Sequence, residues 1–75
     1  MSDLDYLIEH IKEQIDRANQ MFEVTIILSD YQKEILKNNW DYTRTELTKY
    51  ITKSNFIMCS IEKDSKGRNI LNIRF

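Results

Sequence analysis

The chain has no proline and only one each of glycine, cysteine, histidine and tryptophan among its 75 residues, and each scarcity closes off a class of function. A single glycine, Gly67, excludes the glycine-rich loops that cradle phosphates. A single cysteine cannot close an internal disulfide, and Cys59 falls on an apolar strand face, so a reduced, buried thiol and a cytoplasmic location are expected. His10 and Cys59 lie on elements with no reason to converge, so no nucleophile, base and orienting group can be assembled and no enzymatic activity is expected. His10 with Glu9 and Glu13 offers ligands on one helix face, but no second cluster completes a site, so neither a metal nor another cofactor is expected. No apolar stretch exceeds a few residues, and the N-terminal segment is acidic and amphipathic instead of basic then apolar. Neither a signal peptide nor a membrane span is expected, and hence no membrane partner.

What is present describes a folded domain. Apolar residues make up 41% and charged residues 31%, ordinary for a globular chain and too apolar for a disordered one. This length makes a single domain, residues 1–75, that buries about 60% of its unfolded surface, so the core is thin and cannot enclose a cofactor. The net charge of −1 is unevenly spread: residues 1–23 set six acids against Lys12 and Arg17, net −4, and the remainder is net +3. That permits a weak anionic partner for the C-terminal part but falls short of the basic balance of a dedicated nucleic-acid binder. Abundant Ile, Lys and Asn without Pro suggests an AT-rich source.

Hydrophobic spacing assigns the elements. Leu4, Leu7, Ile8, Ile11, Ile15, Ala18 and Phe22 form one helical stripe, capped by Ser2, with Asp3 and Asp5 in the first turn and Arg17 in the last, which predicts a helix over about 3–20. The period then drops to two, Phe22, Val24, Ile26 and Leu28 alternating with Glu23, Thr25 and Ile27, which predicts a strand. Ser29 with Gln32 forms a capping box for a short helix from Asp30 to Asn39. Thr43 with Glu46 forms another for a helix from about Arg44 to Lys53, leaving Trp40-Asp41-Tyr42 as the interhelical turn, and Asn55 is placed as a left-handed stop.

The C-terminal hairpin follows from Asp64-Ser65-Lys66-Gly67, with Asp at the first turn position and Gly at the fourth, a type I turn with a left-handed G1 bulge. A three-residue loop pairs Glu62 with Ile70, Ser60 with Asn72 and Met58 with Arg74. It gathers Ile57, Cys59, Ile61, Leu71, Ile73 and Phe75 on one face, whereas an even loop would mix the faces. The expected fold is α+β, in the order α-β-α-α-β-β, with the amphipathic N-terminal helix packed on a three-stranded antiparallel sheet.

This order resembles the winged helix-turn-helix fold, whose last two strands form the wing. The resemblance implies a reading helix presenting Arg44, Thr45, Thr48, Lys49 and Thr52 to double-stranded DNA, with Lys63, Lys66 and Arg68 at the wing. The usual small residue and glycine at the helix-turn-helix bend are absent. Trp40 and Tyr42, in a short turn, fit a lid over the thin core; left exposed, they would form with Tyr31 a compact aromatic anchor of the kind that dominates protein interfaces. In size and composition, and in offering no catalytic set, the chain resembles short phage-encoded inhibitors, anti-CRISPR proteins among them. The expected function is therefore a non-enzymatic protein-binding module acting on a host protein or nucleoprotein complex. A winged-helix DNA-binding regulator is the alternative, and a homodimer is compatible with either.

Overall fold

Ser2 opens helix α1 (Asp3–Arg17) through a capping box in which its hydroxyl accepts from Asp5 N at 3.2 Å and the Asp5 carboxylate accepts from Ser2 N at 3.2 Å. The computed structural model describes residues 2–18, 23–51 and 58–74. Helix α1 ends three residues earlier than its apolar stripe predicts. Ala18 leaves helical geometry at φ −102°, ψ 26° and its N–H is shared by the Gln14 and Ile15 carbonyls at 3.1 Å. Strand β1 (Glu23–Leu28) follows, then helix α2 (Asp30–Asn38) behind the predicted Ser29–Gln32 capping box.

The second interhelical connection corrects the sequence reading. Helix α3 spans Trp40–Tyr50, not about 44–53, so Trp40, Asp41 and Tyr42 are its first turn and Asn39 alone makes the corner. Asn39 serves both helices: its Nδ2 donates to the Ile35 carbonyl at 2.8 Å, closing α2, and its carbonyl accepts from Thr43 N and Thr43 Oγ1, both at 2.9 Å, starting α3. Thr43, the predicted cap, is therefore a fully buried interior position. The signal that belongs to the true start is Asp41 in the first turn, where the helix dipole favours an acid; Asn39 stands at the cap position, but its side chain closes α2 and makes no cap bond to α3. Thr52, Asn55, Ile57, Phe22 and Phe75 lie outside the described residues.

Strands β2 (Met58–Lys63) and β3 (Asn69–Arg74) pair in the predicted register, Met58 with Arg74, Ser60 with Asn72 and Glu62 with Ile70. The turn is fixed by Asp64, which accepts from Lys66 N at 2.9 Å and Arg68 N at 2.8 Å through one carboxylate oxygen and from Arg68 Nε at 2.7 Å through the other. Gly67 sits at φ 78°, the left-handed region that the G1 bulge requires. β3 also pairs antiparallel with β1, so the sheet order is β1-β3-β2, and among the described residues no strand pairs with the outer edge of β1 or of β2.

The pleat sorts the sheet into two faces. Ile26, Leu28, Leu71 and Ile73 point to the helices and are buried with Leu7, Ile11, Ile15, Leu36, Leu47 and Ile51, while Cys59 and Ile61 pack partly against this core. Among the described residues no helix covers the opposite face: Ile27 is 56% exposed and Met58 52%, beside Thr25, Ser60 and Asn72. The molecule is thus a two-layer α+β domain with N-terminal helix α1 on the inner face of an open sheet. Among the described residues no helix is long and apolar enough to cross a membrane.

Candidate functional site

Among the described residues strand β2 is paired on one side only, and along its other side runs a groove of about 600 Å³. Five consecutive residues, Cys59 to Lys63, line it. Successive side chains of a strand point to opposite faces, so a space touching all five lies along the edge itself, against the backbone. Lys33 and Lys37 of α2 and Trp40 of α3 form the other wall. Trp40 is half-buried, with part of its ring against the core and part on the groove.

The groove has two unlike ends. Asn69 pairs with Lys63 across the sheet, and its Nδ2 donates to Asp30 Oδ1 at 2.8 Å, which anchors the start of α2 beside the end of β2. At the opposite end lies Cys59, whose thiol burial pushes up from its ordinary value, a rise that the charge of nearby Arg44 on α3 opposes. Helix α2 therefore runs counter to β2. Lys33 and Lys63 share the basic end, with Lys37 one turn further along, and Trp40, Ile61 and Cys59 make the apolar end. Among the described residues none of Lys33, Lys37 and Lys63 forms a salt bridge; Lys63 Nζ reaches only the Gly67 carbonyl, at 3.4 Å. Glu62 is the one acid in the lining.

The aromatic residues singled out by the sequence are divided among three places. Tyr31 lies with Tyr6, His10 and Ile35 in a groove between α1 and α2, its hydroxyl donating to Asp3 at 2.7 Å, an acid that holds the phenol above its usual range. Trp40 lines the β2 groove, and Tyr42 is exposed on the first turn of α3. Tyr31 and Lys33, two residues apart, project about 200° apart around α2. Tyr31 and Trp40 thus belong to separate grooves.

Arg44, Thr45, Thr48 and Lys49 do share a shallow depression on α3, together with Asp41. Their donors are partly committed: Thr45 Oγ1 donates to the Asp41 carbonyl at 2.8 Å, Thr48 Oγ1 to the Arg44 carbonyl at 2.7 Å, and Lys49 pairs with Glu46 at 4.0 Å. At the hairpin tip Arg68 is held by Asp64, Lys66 is exposed, and Lys63 faces the β2 groove.

Lys33, Lys37, Asn69 and the β2 edge were not marked by the sequence as a site. The spacing of Lys33 and Lys37 puts them on one helix flank, but a charged flank reads as solvated until the fold places a free strand beside it. His10 and Cys59 line different grooves, and among the described residues no cluster of three or more His, Cys, Asp or Glu could hold a metal ion. Comparison of the chain with protein-family models, with curated proteins and with solved structures finds no match.

Proposed function

We propose that the protein is a non-enzymatic protein-binding module. The observation that carries this reading is the groove on the β2 edge: a strand backbone and lysines that are unpaired among the described residues, with a half-buried tryptophan, are recognition groups, and they converge on one open space. Tryptophan at the wall of a pocket is the type of anchor that dominates binding energy in protein interfaces. Small size, an AT-rich composition and the absence of a catalytic set in the sequence support a phage or mobile-element inhibitor of a host protein, defence machinery included, acting in the cytoplasm.

A winged-helix DNA-binding regulator is the second reading. What favours it is the single face of α3 shared by Arg44, Thr45, Thr48 and Lys49, with Lys66 and Arg68 on the hairpin. The one-residue corner at Asn39 and the internal pairing of Arg68 and Lys49 weigh against it.

The test is affinity purification from host lysate with the wild-type chain, with Lys37→Glu and with the surface control Tyr42→Ala, each first checked for folding by circular dichroism. A partner recovered with wild type and Tyr42→Ala and lost with Lys37→Glu is expected. Recovery that ignores Lys37→Glu would move the binding surface away from the groove, and no partner at all, or tight sequence-selective binding of duplex DNA at physiological salt, would overturn the reading.

A further inference from the structure

From the β2 groove we infer that the partner is engaged by strand addition: an extended acidic segment pairs with the free edge of Met58–Lys63 and becomes the fourth strand of the sheet. This deepens the protein-binding reading and rests on it. The groove touches five consecutive β2 residues, so its occupant faces the main-chain N–H and C=O groups that β3 leaves unpaired on that side. An edge of that kind is a template for another strand, which would lie about 4.8 Å away, between β2 and the flank of α2. Main-chain bonding supplies affinity in this mode, and pockets for alternate side chains supply selectivity.

The selectivity is written in the wall. Lys33 and Lys37 are four residues apart on α2, about 6 Å along its axis, and alternate residues of an extended chain are about 6.6 Å apart. Acidic side chains at positions i and i+2 of the incoming strand therefore meet both ammonium groups, with Lys63 at the same end. One further alternate position falls at Trp40, Ile61 and Cys59, where an apolar side chain fits. The recognised pattern is acid, any residue, acid, any residue, apolar, in whichever chain direction places the acids against the lysines.

Charge also decides against the other strand on offer, the β2 edge of a second copy. Pairing two such edges would bring Lys33, Lys37 and Lys63 of both copies to one seam, with only Glu62 from each to offset them. An antiparallel pair sets Lys63 of each copy toward the Cys59 end of the other, so the opposition comes from the net positive charge of the whole seam, six lysines against two glutamates.

The chain's only tryptophan, Trp40, lies in the groove and serves as the reporter. Full-length protein is titrated with Ac-Asp-Thr-Glu-Thr-Phe-Thr-NH2, with the same residues in reversed order, and with a version of each carrying Lys for Asp and Glu. Binding is read by tryptophan emission and by amide chemical shifts. One direction of the acidic peptide is expected to saturate, shifting the amides of 58–63 and the Trp40 indole, while the lysine versions do not bind. Backbone N-methylation of that peptide at even positions or at odd positions separates strand addition from simple charge attraction, since only one phase points its N–H groups at the edge; one phase is expected to abolish binding and the other to preserve it. Lys33→Glu with Lys37→Glu is expected to weaken binding at least about tenfold, near 1.4 kcal/mol, and Tyr31→Ala, on the opposite flank of α2, to leave it unchanged.

Equal loss with both methylation phases, equal binding of lysine and acidic peptides, or shifts confined to another surface would overturn strand addition. So would a concentration-dependent dimer whose interface is the β2 edge. A lysate partner that crosslinks to the α1/α2 groove while no peptide touches β2 would sink strand addition and leave the protein-binding reading standing. No partner at any surface would sink both.

Discussion

The hydroxyl of Tyr50, at the end of α3, lies 2.6 Å from both oxygens of the Asp16 carboxylate near the end of α1, and Lys12 Nζ stands 5.4 Å from the centroid of the same ring. The contact ties the two helices at the surface. Because the Tyr50 hydroxyl donates a hydrogen bond to Asp16, is partly desolvated, and would ionise against the Asp16 charge, Tyr50 titrates above its ordinary value. A folded value above the unfolded one, about 10, gives stability that is fully present below the unfolded value and is lost as pH rises through the folded value. Tyr31 has the same relation to Asp3. Urea midpoints of wild type are therefore expected to fall above pH 10, and the double variant Tyr31→Phe/Tyr50→Phe to start lower at pH 7 and fall less steeply. An unchanged alkaline slope would mean that neither hydroxyl bond persists in solution.

Gly67 tests the hairpin. A Cβ built on it meets nothing within 4 Å, so Gly67→Ala has no steric clash and its whole effect comes from placing a side chain at φ 78°. That strain is about 1–2 kcal/mol. Gly67→Asn should lose markedly less, because Asn tolerates the left-handed region. Chemical denaturation of the three proteins should give the order Gly, Asn, Ala; equal midpoints would mean that the turn is not held in its G1 form.

Asn69 tests the link between α2 and the sheet. Its side chain is buried, its Nδ2 donates to exposed Asp30, and its Oδ1 has no donor among the described residues. Asn69→Asp places a carboxylate against a carboxylate in a buried position and is expected to lose about 2–3 kcal/mol at pH 7. Burial and the Asp30 charge disfavour the ionised form of the introduced carboxyl, so its folded pKa lies above the unfolded value. The loss should then shrink as pH falls and the carboxyl regains a proton to donate. Asn69→Leu removes the donor and the unsatisfied acceptor together while Asp30 returns to water, so it should be nearly neutral. Stability that is independent of pH in Asn69→Asp would contradict the observed contact.

Local rules made much of this fold legible. Ser2, Ser29 and the alternation of β1 placed their elements, and Gly67 fixed the hairpin register because a one-residue slip would have carried Asn72 and Arg74 into the core. The corner at Asn39 was not legible by the same means: Thr43-Glu46 has the spacing of a capping box, and only the burial of Thr43 shows that its hydroxyl bonds within the helix. The candidate groove was less legible still. It joins residues 33–40 to 59–63 and 69 across the sheet, and what makes it a site is the free side of β2, which depends on β3 taking the central place between β1 and β2. The predicted basic and aromatic sets were read from residue type, whereas pairing decides their use: Arg68 and Lys49 are spent on Asp64 and Glu46, and Lys33 and Lys37 are not.

That pairing sets the last expectation, for duplex DNA. Of the basic residues that a winged-helix reading assigns within the described chain, Arg68 lies 2.7 Å from Asp64, Lys49 is 4.0 Å from Glu46, and Lys63 lines the β2 groove. Arg44 and Lys66 are left to meet phosphates, on a molecule of net charge −1. Each neutralised phosphate contributes about −0.9 to the slope of log K against log salt, so two contacts give a slope near −2, and affinity should stay in the non-specific range of about 10⁻⁴ to 10⁻⁶ M at physiological salt. The committed hydroxyls of Thr45 and Thr48 reduce base readout further, since both donate to their own helix backbone. Fluorescence anisotropy with duplexes of unrelated sequence should give equal, weak affinities, lowered alike by Lys66→Ala and Arg44→Ala. A slope of −5 or steeper, or one duplex bound a thousandfold more tightly than the rest and sensitive to Arg44→Ala alone, would move the function to the winged-helix reading, because neither can arise from two unpaired cations.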